Sequence, residues 1–371
     1  MSDPLHIFLA VQPGLEPLLL EEAREHGFRA PEAAAGGVTI RGGWPDVWRA
    51  NLQLRGASRV LVRLGAFYAA HLAQLDKRAR QLPWSAFLAP NTPIRVEATC
   101  RKSRIYHSGA AAERIAAAAV HEAGAREEGS APLRVLVRIA KDLCTVSIDA
   151  SGELLHKRGF KEAVAKAPLR ETLAALFLRA CGYRGEGPVL DPMCGSGTFV
   201  IEAAEIAAGL APGRARAFAF ERLAGFDRDA WEAMRAAAPA APRGSTPQAF
   251  GFDRDAGAIA MSRANAARAG LAELTQFRQQ TLSDAEPPGE AKGLVVINPP
   301  YGARIGERSR LMPLYQSLGR RLRERFAGWR VGLVTSDLEL ARATGLPFGE
   351  PGPPAPHGSI RIRLFQSEPL E

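Results

Sequence analysis

Strands and helices alternate through the second half of the sequence, and this pattern limits the possible folds more than any other feature. Short apolar runs occur in VLDPM, QAFGFD, TQFRQQT, GLVVINPP and WRVGLVTS, and segments with helical spacing separate most of them. Strands that alternate with helices form a parallel sheet with helices on both faces. We therefore predict a doubly wound, mostly parallel α/β domain over residues 184–371.

The first half of the sequence has a mixed pattern. The strand-like runs LHIFLAV, GGVTIR, SRVLVRLG and PIRVEAT lie among helical segments, and RVLVRIA and CTVSIDA flank Lys141 and Asp142. Two alternating runs joined by two residues predict a hairpin. We predict an α+β half with one unit over residues 1–58, a second over residues 59–154, and a helical linker region over residues 155–183.

Basic side chains outnumber acidic ones, with 48 Lys and Arg against 39 Asp and Glu in 371 residues. The excess suggests a polyanionic partner such as nucleic acid, although an enzyme from an Arg-rich proteome has the same balance. The four cysteines form no Cys-x-x-Cys and the seven histidines no metal-binding spacing, so we expect a reduced cytoplasmic protein without a structural metal. The N-terminal segment predicts neither a signal peptide nor a membrane span.

A glycine-rich turn follows the first strand of the alternating half. In VLDPMCGSGTFVIEAA the strand ends at Asp191, Gly195 and Gly197 follow, and a helix begins at Thr198. Such a turn lets the backbone approach a ligand, and the helix N-terminus presents free N–H groups. A phosphate loop requires Gly-Lys-Ser/Thr, and a dinucleotide fingerprint requires a small residue where Val200 stands. Two interpretations remain: a plain tight connection, and an S-adenosylmethionine site in which the acid meets the methionine amino group.

The segment NPPYG, residues 298–302, ends the apolar run GLVVI. Two prolines cannot continue a central strand, so Asn298 is predicted at the carboxyl edge of the sheet, where ligands bind in such folds. The Asn298 side-chain oxygen and the Pro299 carbonyl can each accept an N–H of an exocyclic amine, and Tyr301 can stack on an extruded base. Asn-Pro is also a common turn signal. Together with the glycine-rich turn, however, the segment predicts methylation of an aromatic amine.

Both motifs resemble those of a known group of enzymes. DPMCGSGT followed by NPPYG resembles the class I methyltransferases that act on exocyclic amines of nucleic acids. LHKRGFKEAVAKAPLRETLAA and RKSRIYHSGAAAERI resemble parts of THUMP-containing RNA methyltransferases, and GLEPLLLEE and GGVTIRG resemble their ferredoxin-like start. The resemblance covers nearly the whole chain. It is closest to the bacterial family that methylates guanine N2 in large-subunit ribosomal RNA, without the second methyltransferase that is fused to it in some bacteria.

The resemblance implies a Rossmann-like catalytic domain behind a ferredoxin-like and THUMP half, S-adenosylmethionine as methyl donor, and no metal. It implies RNA as the partner, with 23S ribosomal RNA ahead of transfer RNA, and we expect a monomer. The residues implied at the amine are Asn298, Pro299, Pro300 and Tyr301. The residues implied at the donor are Asp191, Pro192, Cys194, Gly195, Gly197, Thr198 and Asn298. The rival interpretations are a DNA adenine or cytosine methyltransferase and an RNA-binding protein with an inactive domain.

One position departs from the family pattern. Members usually have an Asp shortly after the third strand that accepts from the adenine amine, but FRQQTLSDA places Thr281 there. Thr281 is therefore the predicted neighbour of the adenine, and Ser283 or Asp284 is a candidate to replace the missing carboxylate.

Basic and aromatic side chains are interleaved before the predicted helix of the second unit. The predicted RNA-binding residues there are Arg101, Lys102, Arg104, Tyr106 and His107. Basic residues bind phosphates, and aromatic rings stack on bases. Arg55, Arg59 and Arg63 form another basic group, while GRRLRERF also fits a solvated helix face.

The pentapeptide GFDRD occurs twice, at residues 225–229 and 251–255. Dinucleotide-type spacing, with the ribose acid about 20 residues after the glycines, favours Asp227. The second copy, however, follows the uninterrupted run QAFGF, and the interval from it to NPPYG fits the remaining elements of the sheet. We therefore predict that Asp253, with Arg254 beside it, contacts the ribose. Asp227 is predicted to lie in an insertion, where Asp229 opens a helix as a capping-box variant.

Overall fold

A computed structural model describes residues 4–161, 169–239, 248–301 and 305–371, with backbone only for 305–307. The chain forms two compact units. The first comprises Met1–Val11, Leu20–Leu155 and Arg216–Ala237, and the second comprises Gln12–Leu19, His156–Ala215 and Ala238–Glu371. The predicted boundaries placed all of residues 184–371 in one domain. In the structure, Arg216–Ala237 belongs to the first unit instead.

Within the described residues, the first unit contains one mixed sheet of eight strands. Its strands are β1 (Leu5–Ala10), β2 (Glu32–Ala34), β3 (Gly37–Gly42), β4 (Arg59–Tyr68), β5 (Pro93–Arg101), β6 (Arg126–Glu127), β7 (Leu133–Ala140) and β8 (Leu143–Asp149). The order across the sheet is β2-β3-β1-β4-β8-β7-β5-β6. The helices of this part of the chain are α1 (Glu16–Glu25), α2 (Trp44–Gln53), α3 (Leu72–Ala79) and α4 (Ser108–Ala123).

Strand β4 joins the two predicted N-terminal units into a single sheet, because it pairs with β1 on one side and β8 on the other. Its side chains alternate: Val60 and Val62 are fully buried, whereas Leu61 and Arg63 on the opposite face are half-buried. The predicted hairpin is confirmed, since β7 and β8 are antiparallel neighbours. Its two turn residues have φ of 52° and 64°, the left-handed geometry that matches the twist of a hairpin.

The rest of the described chain continues the strand–helix alternation. Its elements are α5 (Glu171–Ala180), β9 (Val189–Asp191), α6 (Thr198–Ala207), α7 (Arg228–Ala237), β10 (Ala249–Asp253), α8 (Ala256–Arg268), β11 (Thr275–Gln279), β12 (Leu294–Ile297), α9 (Ile305–Arg325), β13 (Arg330–Thr335), α10 (Leu338–Ala343), β14 (Ala355–His357) and β15 (Ile360–Gln366). Residues 162–168 of the predicted linker region lie outside the described residues.

Within the described residues, the sheet of the second unit has seven strands in the order β11-β10-β9-β12-β13-β15-β14. The pairs from β11 to β13 are parallel, and β15 is antiparallel to β13. This arrangement confirms the predicted Rossmann-like, mostly parallel sheet. Because β9, β10 and β12 are adjacent and parallel, the glycine-rich turn, the second GFDRD copy and NPPYG all leave from one edge of the sheet.

The first GFDRD copy lies between α6 and β10, as predicted, but in a segment that packs within the first unit. The Phe220 ring lies 5.0 Å from that of Trp231 and 6.3 Å from that of Trp48 on α2. The prediction that Asp229 opens the helix is wrong. Helix α7 begins one residue earlier, and the Asp227 carboxylate accepts a hydrogen bond from the Ala230 N–H at 3.0 Å.

Among the described helices, none combines the length and the hydropathy that a bilayer span requires.

Candidate methyl-donor and amine site

Asp191, the last residue of β9, is a buried acid at the edge of the sheet. Its side chain accepts a hydrogen bond from the Met193 N–H at 3.0 Å, and the residue is 3% exposed. Burial raises the pKa of this carboxyl to about 8; the Met193 bond opposes the rise and the charge of Asp253 adds to it. Among the described residues, no basic side chain pairs with Asp191. The position therefore suits a cationic group of a ligand.

The turn after Asp191 depends on two glycines in left-handed conformations. Gly195 has φ of 54° and Gly197 has φ of 82°, which side chains with a Cβ rarely adopt. A Cβ on Gly197 would lie 3.1–3.3 Å from Ser262 and Phe277, whereas a Cβ on Gly195 would meet nothing within 4 Å. The Gly197 position is thus closed by packing, and Gly195 leaves open space beside the backbone.

Helix α8 holds this turn from behind through two polar residues that the sequence reasoning missed. Ser262 Oγ donates to the Gly195 carbonyl at 2.8 Å, and Asn265 Nδ2 donates to the Ser196 carbonyl at 3.2 Å. Both side chains are fully buried. Their spacing of three residues on an alanine-rich helix was the available signal, because it places both on one face.

Two predicted donor residues, Pro192 and Cys194, are buried in the turn rather than exposed along it. The Cys194 N–H donates to the Phe252 carbonyl at 2.9 Å, and its Sγ lies 3.9 Å from Ser262 Oγ. Burial raises the pKa of the Cys194 thiol well above its usual range. Cys194 therefore packs the turn against β10 as a neutral thiol.

Thr198 opens α6 and contacts a lysine that the sequence reasoning also missed. Lys161 Nζ donates to Thr198 Oγ1 at 2.7 Å and pairs with Glu171 at 2.8 Å. One turn further along α6, Glu202 forms a fully buried ion pair with Arg158 at 3.0 Å. The start of α6 is thus fixed by charged side chains of the segment that precedes the sheet.

Asp253 ends β10 and contacts the glycine-rich turn. One carboxylate oxygen accepts from the Gly195 N–H and the other from the Asp255 N–H, both at 3.0 Å. Each oxygen keeps a further lone pair for a ligand hydroxyl. Arg254 is exposed, and its carbonyl accepts from Gln279 Nε2 at 3.2 Å.

Thr281 lies after β11 at the same edge and has its two candidate substitutes beside it. Its hydroxyl donates to Asp284 Oδ2 at 2.6 Å and lies 2.7 Å from Ser283 Oγ. All three side chains are exposed. A carboxylate is therefore present next to the position where the family usually has one, supplied three residues later in the chain.

Asn298 directly follows β12, and its side-chain oxygen Oδ1 is buried and has no hydrogen-bond partner among the described residues. A buried polar atom without a partner is costly, so this acceptor is suited to a donor from a ligand. Pro299 is buried, Pro300 is exposed and Tyr301 is half-buried. Burial raises the pKa of Tyr301 to about 12, so its ring carries a neutral hydroxyl at physiological pH.

A second tyrosine, Tyr315 on α9, fixes the NPPY segment. Its hydroxyl lies 3.2 Å from the Pro300 carbonyl and 3.3 Å from Thr335 Oγ1, and the residue is fully buried. Tyr315 escaped the sequence reasoning because a tyrosine on an amphipathic helix looks like an ordinary core residue.

The predicted RNA-binding turn divides into two kinds of residue. Arg104 donates from its backbone N–H and its side chain to Asp142, at 2.7 and 2.9 Å, and the His107 ring accepts from the Ala110 N–H at 3.0 Å as the cap of α4. By contrast, Tyr106 is 84% exposed. Among the described residues, Tyr106 and the side chains of Arg101 and Lys102 have no protein partner.

The basic helix stretch GRRLRERF contacts its own protein. Arg321 and Arg325 pair with Glu286, and Arg323 donates to the Thr344 carbonyl. These contacts favour the interpretation as a surface helix face.

Comparison with known protein families identifies the second half of the chain. A family model described as an RMKL-like methyltransferase domain matches residues 158–347. The chain belongs to the RMKL-like methyltransferases. Models of the RlmL ferredoxin-like domain and of the THUMP domain match residues 6–61 and 69–149.

Two curated relatives of this RMKL-like methyltransferase differ in length. The ribosomal RNA large subunit methyltransferase K/L of Syntrophotalea carbinolica is 36% identical over 365 residues, which are 93% of this chain and 51% of that protein. The chain thus spans about half the length of the K/L relatives it matches. A Synechocystis protein, provisionally assigned as an RNA methyltransferase, is 32% identical. The match covers 91% of this chain and 90% of the Synechocystis protein.

A solved structure supports the cofactor of the RMKL-like methyltransferase. A provisionally assigned methyltransferase, crystallised with SAH (S-adenosylhomocysteine), is 25% identical. The match covers both chains fully and has a TM-score of 0.89. The predicted cofactor, S-adenosylmethionine, is confirmed. The residues present fit it: buried Asp191 lacks a cationic partner among the described residues, the space beside Gly195 is open, and Asn298 Oδ1 lacks a donor.

Proposed function

We propose that the protein methylates the exocyclic N2 amine of a guanine in RNA, and that 23S ribosomal RNA in the cytoplasm is its substrate. The observation that carries this proposal is the buried Asn298 Oδ1 at the end of β12, which has no partner in the part of the chain that the structure describes. It lies at the same sheet edge as the glycine-rich turn after β9. An acceptor that no donor of the described residues satisfies, at the same edge as a methyl-donor site, suits an amine substrate.

The two ends of the donor have separate partners in this proposal. Asp191 meets the amino group of its methionine part, and Asp253 meets the ribose hydroxyls with the free lone pairs of its carboxylate. The exposed Thr281, with Asp284 beside it, meets the adenine amine. When bound, S-adenosylmethionine supplies an electrophilic methyl group on a sulfonium.

The chain's own task is to hold the amine. An aromatic NH₂ is a poor nucleophile because its lone pair is delocalised into the ring. Asn298 Oδ1 and the Pro299 carbonyl each accept one N–H, which favours a pyramidal nitrogen and directs the lone pair towards the methyl group. Since the nucleophile is neutral, no strong base is needed before attack. The nitrogen gains the methyl group as the C–S bond of the donor breaks, and it then loses one N–H proton to solvent. Neutral Tyr301 stacks on the base.

Tyr315 is a positioning residue in this scheme. By donating to the Pro300 carbonyl it fixes the NPPY backbone and leaves the preceding carbonyl, that of Pro299, to the substrate. Acceptors fixed before the substrate arrives need no reorganisation during the reaction, which is the main source of electrostatic catalysis.

The choice of RNA rests on the matched THUMP domain and on the relatives named for ribosomal RNA. Transfer RNA and DNA are the competing acceptors. We would incubate the full chain with tritiated S-adenosylmethionine and, in parallel, unmethylated 23S ribosomal RNA, transfer RNA or duplex DNA, and identify the product nucleoside by mass spectrometry. We expect N2-methylguanosine in the ribosomal RNA. Label in transfer RNA or DNA alone, or on adenine, contradicts the assignment.

Variants at the amine site separate chemistry from donor binding. Asn298→Ala removes one of the acceptors, and we expect kcat to fall about 10²–10³-fold, as for other preorganised hydrogen-bonding groups. SAH affinity, measured by calorimetry, should change much less. Tyr301→Phe keeps the stacking ring and should stay active, whereas Tyr301→Ala should not. Absence of SAH binding by the wild-type chain would instead indicate an inactive domain.

A further inference from the structure

One face of the eight-stranded sheet in the first unit carries a row of paired residues that reaches the surface. Tyr68 of β4 pairs with Leu143 of β8, which pairs with Ala140 of β7, which pairs with Arg101 of β5. Paired residues point to the same face of a sheet. Tyr68 is 67% exposed and Leu143 is 36% exposed. The row thus leads from a free aromatic ring to the start of the predicted RNA-binding turn.

The same face carries arginines of two kinds, and those of the first kind have acidic partners. Arg59 and Arg134 both contact the buried carboxylate of Asp149, and Arg95 lies 3.3 Å from Glu97. Each of these basic side chains therefore has an acidic partner within the sheet. We call this part of the face the paired half.

The other kind comprises Arg63 and Arg138. The register places both on the same face as Tyr68 and Leu143. Arg63 pairs with Ser147 of β8, and Arg138 pairs with Thr145, two residues before Ser147. Neither forms an ion pair with any acid of the described residues. Arg63 stacks on the Phe8 ring at 4.4 Å, and its pKa is lowered by burial and by the charge of Arg138.

Two cations that repel each other on a half-buried surface are unfavourable until an anion lies between them. We propose that Arg63, Tyr68, Arg138 and Leu143 form a platform for single-stranded RNA, with phosphates on the two arginines and a base stacked on Tyr68. We call these four residues the platform. The proposal rests on the proposed RNA substrate and extends the binding surface from the predicted turn onto the adjoining face of the sheet.

The shape of the surface favours single strands over duplexes. An exposed ring on a sheet surface contacts a base through its π-face, and bases are available for stacking only when they are unpaired. The contact of Arg63 with the Phe8 ring holds the guanidinium over that ring, and its N–H donors can still bind a phosphate.

The test measures binding of a fluorescein-labelled twelve-nucleotide oligouridylate to the full chain by anisotropy, at several salt concentrations. Arg63→Gln and Arg138→Gln should each weaken binding and each reduce the slope of log Kd against log salt by about 0.7, the value for one lost phosphate contact on a single strand. Tyr68→Ala should weaken binding about 5- to 150-fold with an unchanged slope, and Tyr68→Phe should bind like wild type.

Arg95→Gln is the matched control, because Arg95 lies on the same face but has an acidic partner. It should change affinity by less than about twofold. Arg138 is exposed, so Arg138→Gln tests the platform even if the half-buried Arg63 variant unfolds. SAH affinity of every variant should match that of the wild type.

The outcomes separate this proposal from the proposed function. If wild-type protein binds the oligonucleotide but the platform variants bind equally well, the platform is overturned and RNA methylation stands. If the variants lower affinity for a hairpin duplex more than for the single strand, the single-strand assignment is overturned. If wild-type protein binds no RNA at all, the RNA substrate falls together with the platform.

Discussion

The first copy of GFDRD turns into a helix at its fourth residue, whereas the second copy continues as a strand through its third. In the first copy Asp227 caps α7 through the Ala230 N–H. In the second copy that function moves to Asp255, which caps α8, and Asp253 is left at the strand end to hold the glycine-rich turn. Identical pentapeptides thus give their first aspartates different tasks.

The difference comes from what lies on either side of each copy. Residues 249–253 are flanked by β9 and β11, and hydrogen bonds to both keep the backbone extended up to Asp253. The first copy has no strand partner among the described residues, and a short 3₁₀ turn, Ala219–Arg222, precedes it. Sheet pairing therefore decides which acid reaches the cofactor edge.

The test with the largest expected effect replaces each of the two aspartates by alanine in turn. Asp253→Ala removes the proposed ribose contacts and the bond to Gly195, and we expect SAH affinity to fall about a hundred-fold or more, since each charge-assisted hydrogen bond contributes about 1.5–3 kcal/mol. Asp227→Ala should change affinity less than about twofold. Isothermal calorimetry measures both. Equal losses would mean that the two copies do not differ as their surroundings suggest.

A second test uses the proton on Asp191, because the charge of Asp253 in the second copy acts on the pKa of Asp191. With a pKa of about 8 in the free protein, Asp191 is mostly protonated at pH 7. A cationic amino group beside it favours the carboxylate, so SAH binding at pH 7 should release close to one proton, and affinity should rise from pH 6 to pH 8. Calorimetry in two buffers of different ionisation enthalpy detects this release.

Variants of the two GFDRD copies test which aspartate affects the proton release. Asp191→Asn should abolish it, and Asp253→Asn should reduce it, because removing the neighbouring charge lowers the pKa of Asp191. Asp227→Ala should leave it unchanged. The same raised pKa has a cost without ligand: stability of the second unit should fall as pH rises from about 4, the unfolded value, towards 8.

The smallest expected effects concern the caps. Asp227→Ala and Asp255→Ala should each destabilise their helix by about 1 kcal/mol, because each removes an acceptor for N-terminal N–H groups. Asp229→Ala, inside α7, should change stability by less than about 0.5 kcal/mol. Hydrogen exchange of the first-turn amides of α7 and α8 measures the three variants. A larger loss for Asp229→Ala would restore the cap predicted from the sequence.

Local chemistry explains what could be predicted. Apolar runs that end at Asp191 and Asn298, two closely spaced glycines and consecutive prolines are signals carried by adjacent residues, and they placed both motifs at the sheet edge. The supports of these motifs could not be found in this way. Ser262, Lys161 and Tyr315 act from other elements, and each looks like an ordinary helix or loop residue until the fold brings it to its partner.

The wrong cap and the unexpected unit boundary have a common cause. The local pattern of the segment FAFERLAGF, residues 218–226, gives no sign of its packing, because its aromatic side chains contact a helix more than 160 residues earlier in the chain. Trp231 of α7 contacts Phe220 edge-to-face in the same cluster, so α7 packs on this aromatic group. Only long-range contacts reveal it.

The position of that segment in the chain also determines when the first unit can complete its folding during synthesis. The first unit holds most of its residues by Leu155, yet part of its aromatic core, including the fully buried Phe220, is translated only within Arg216–Ala237. At about 5–20 residues per second, the remaining stretch of about 80 residues takes some 4–16 s. During that time the aromatic side chains that pack around Trp48 have not yet been synthesised. The first unit can therefore complete its core only after β9 and α6 of the second unit have left the ribosome.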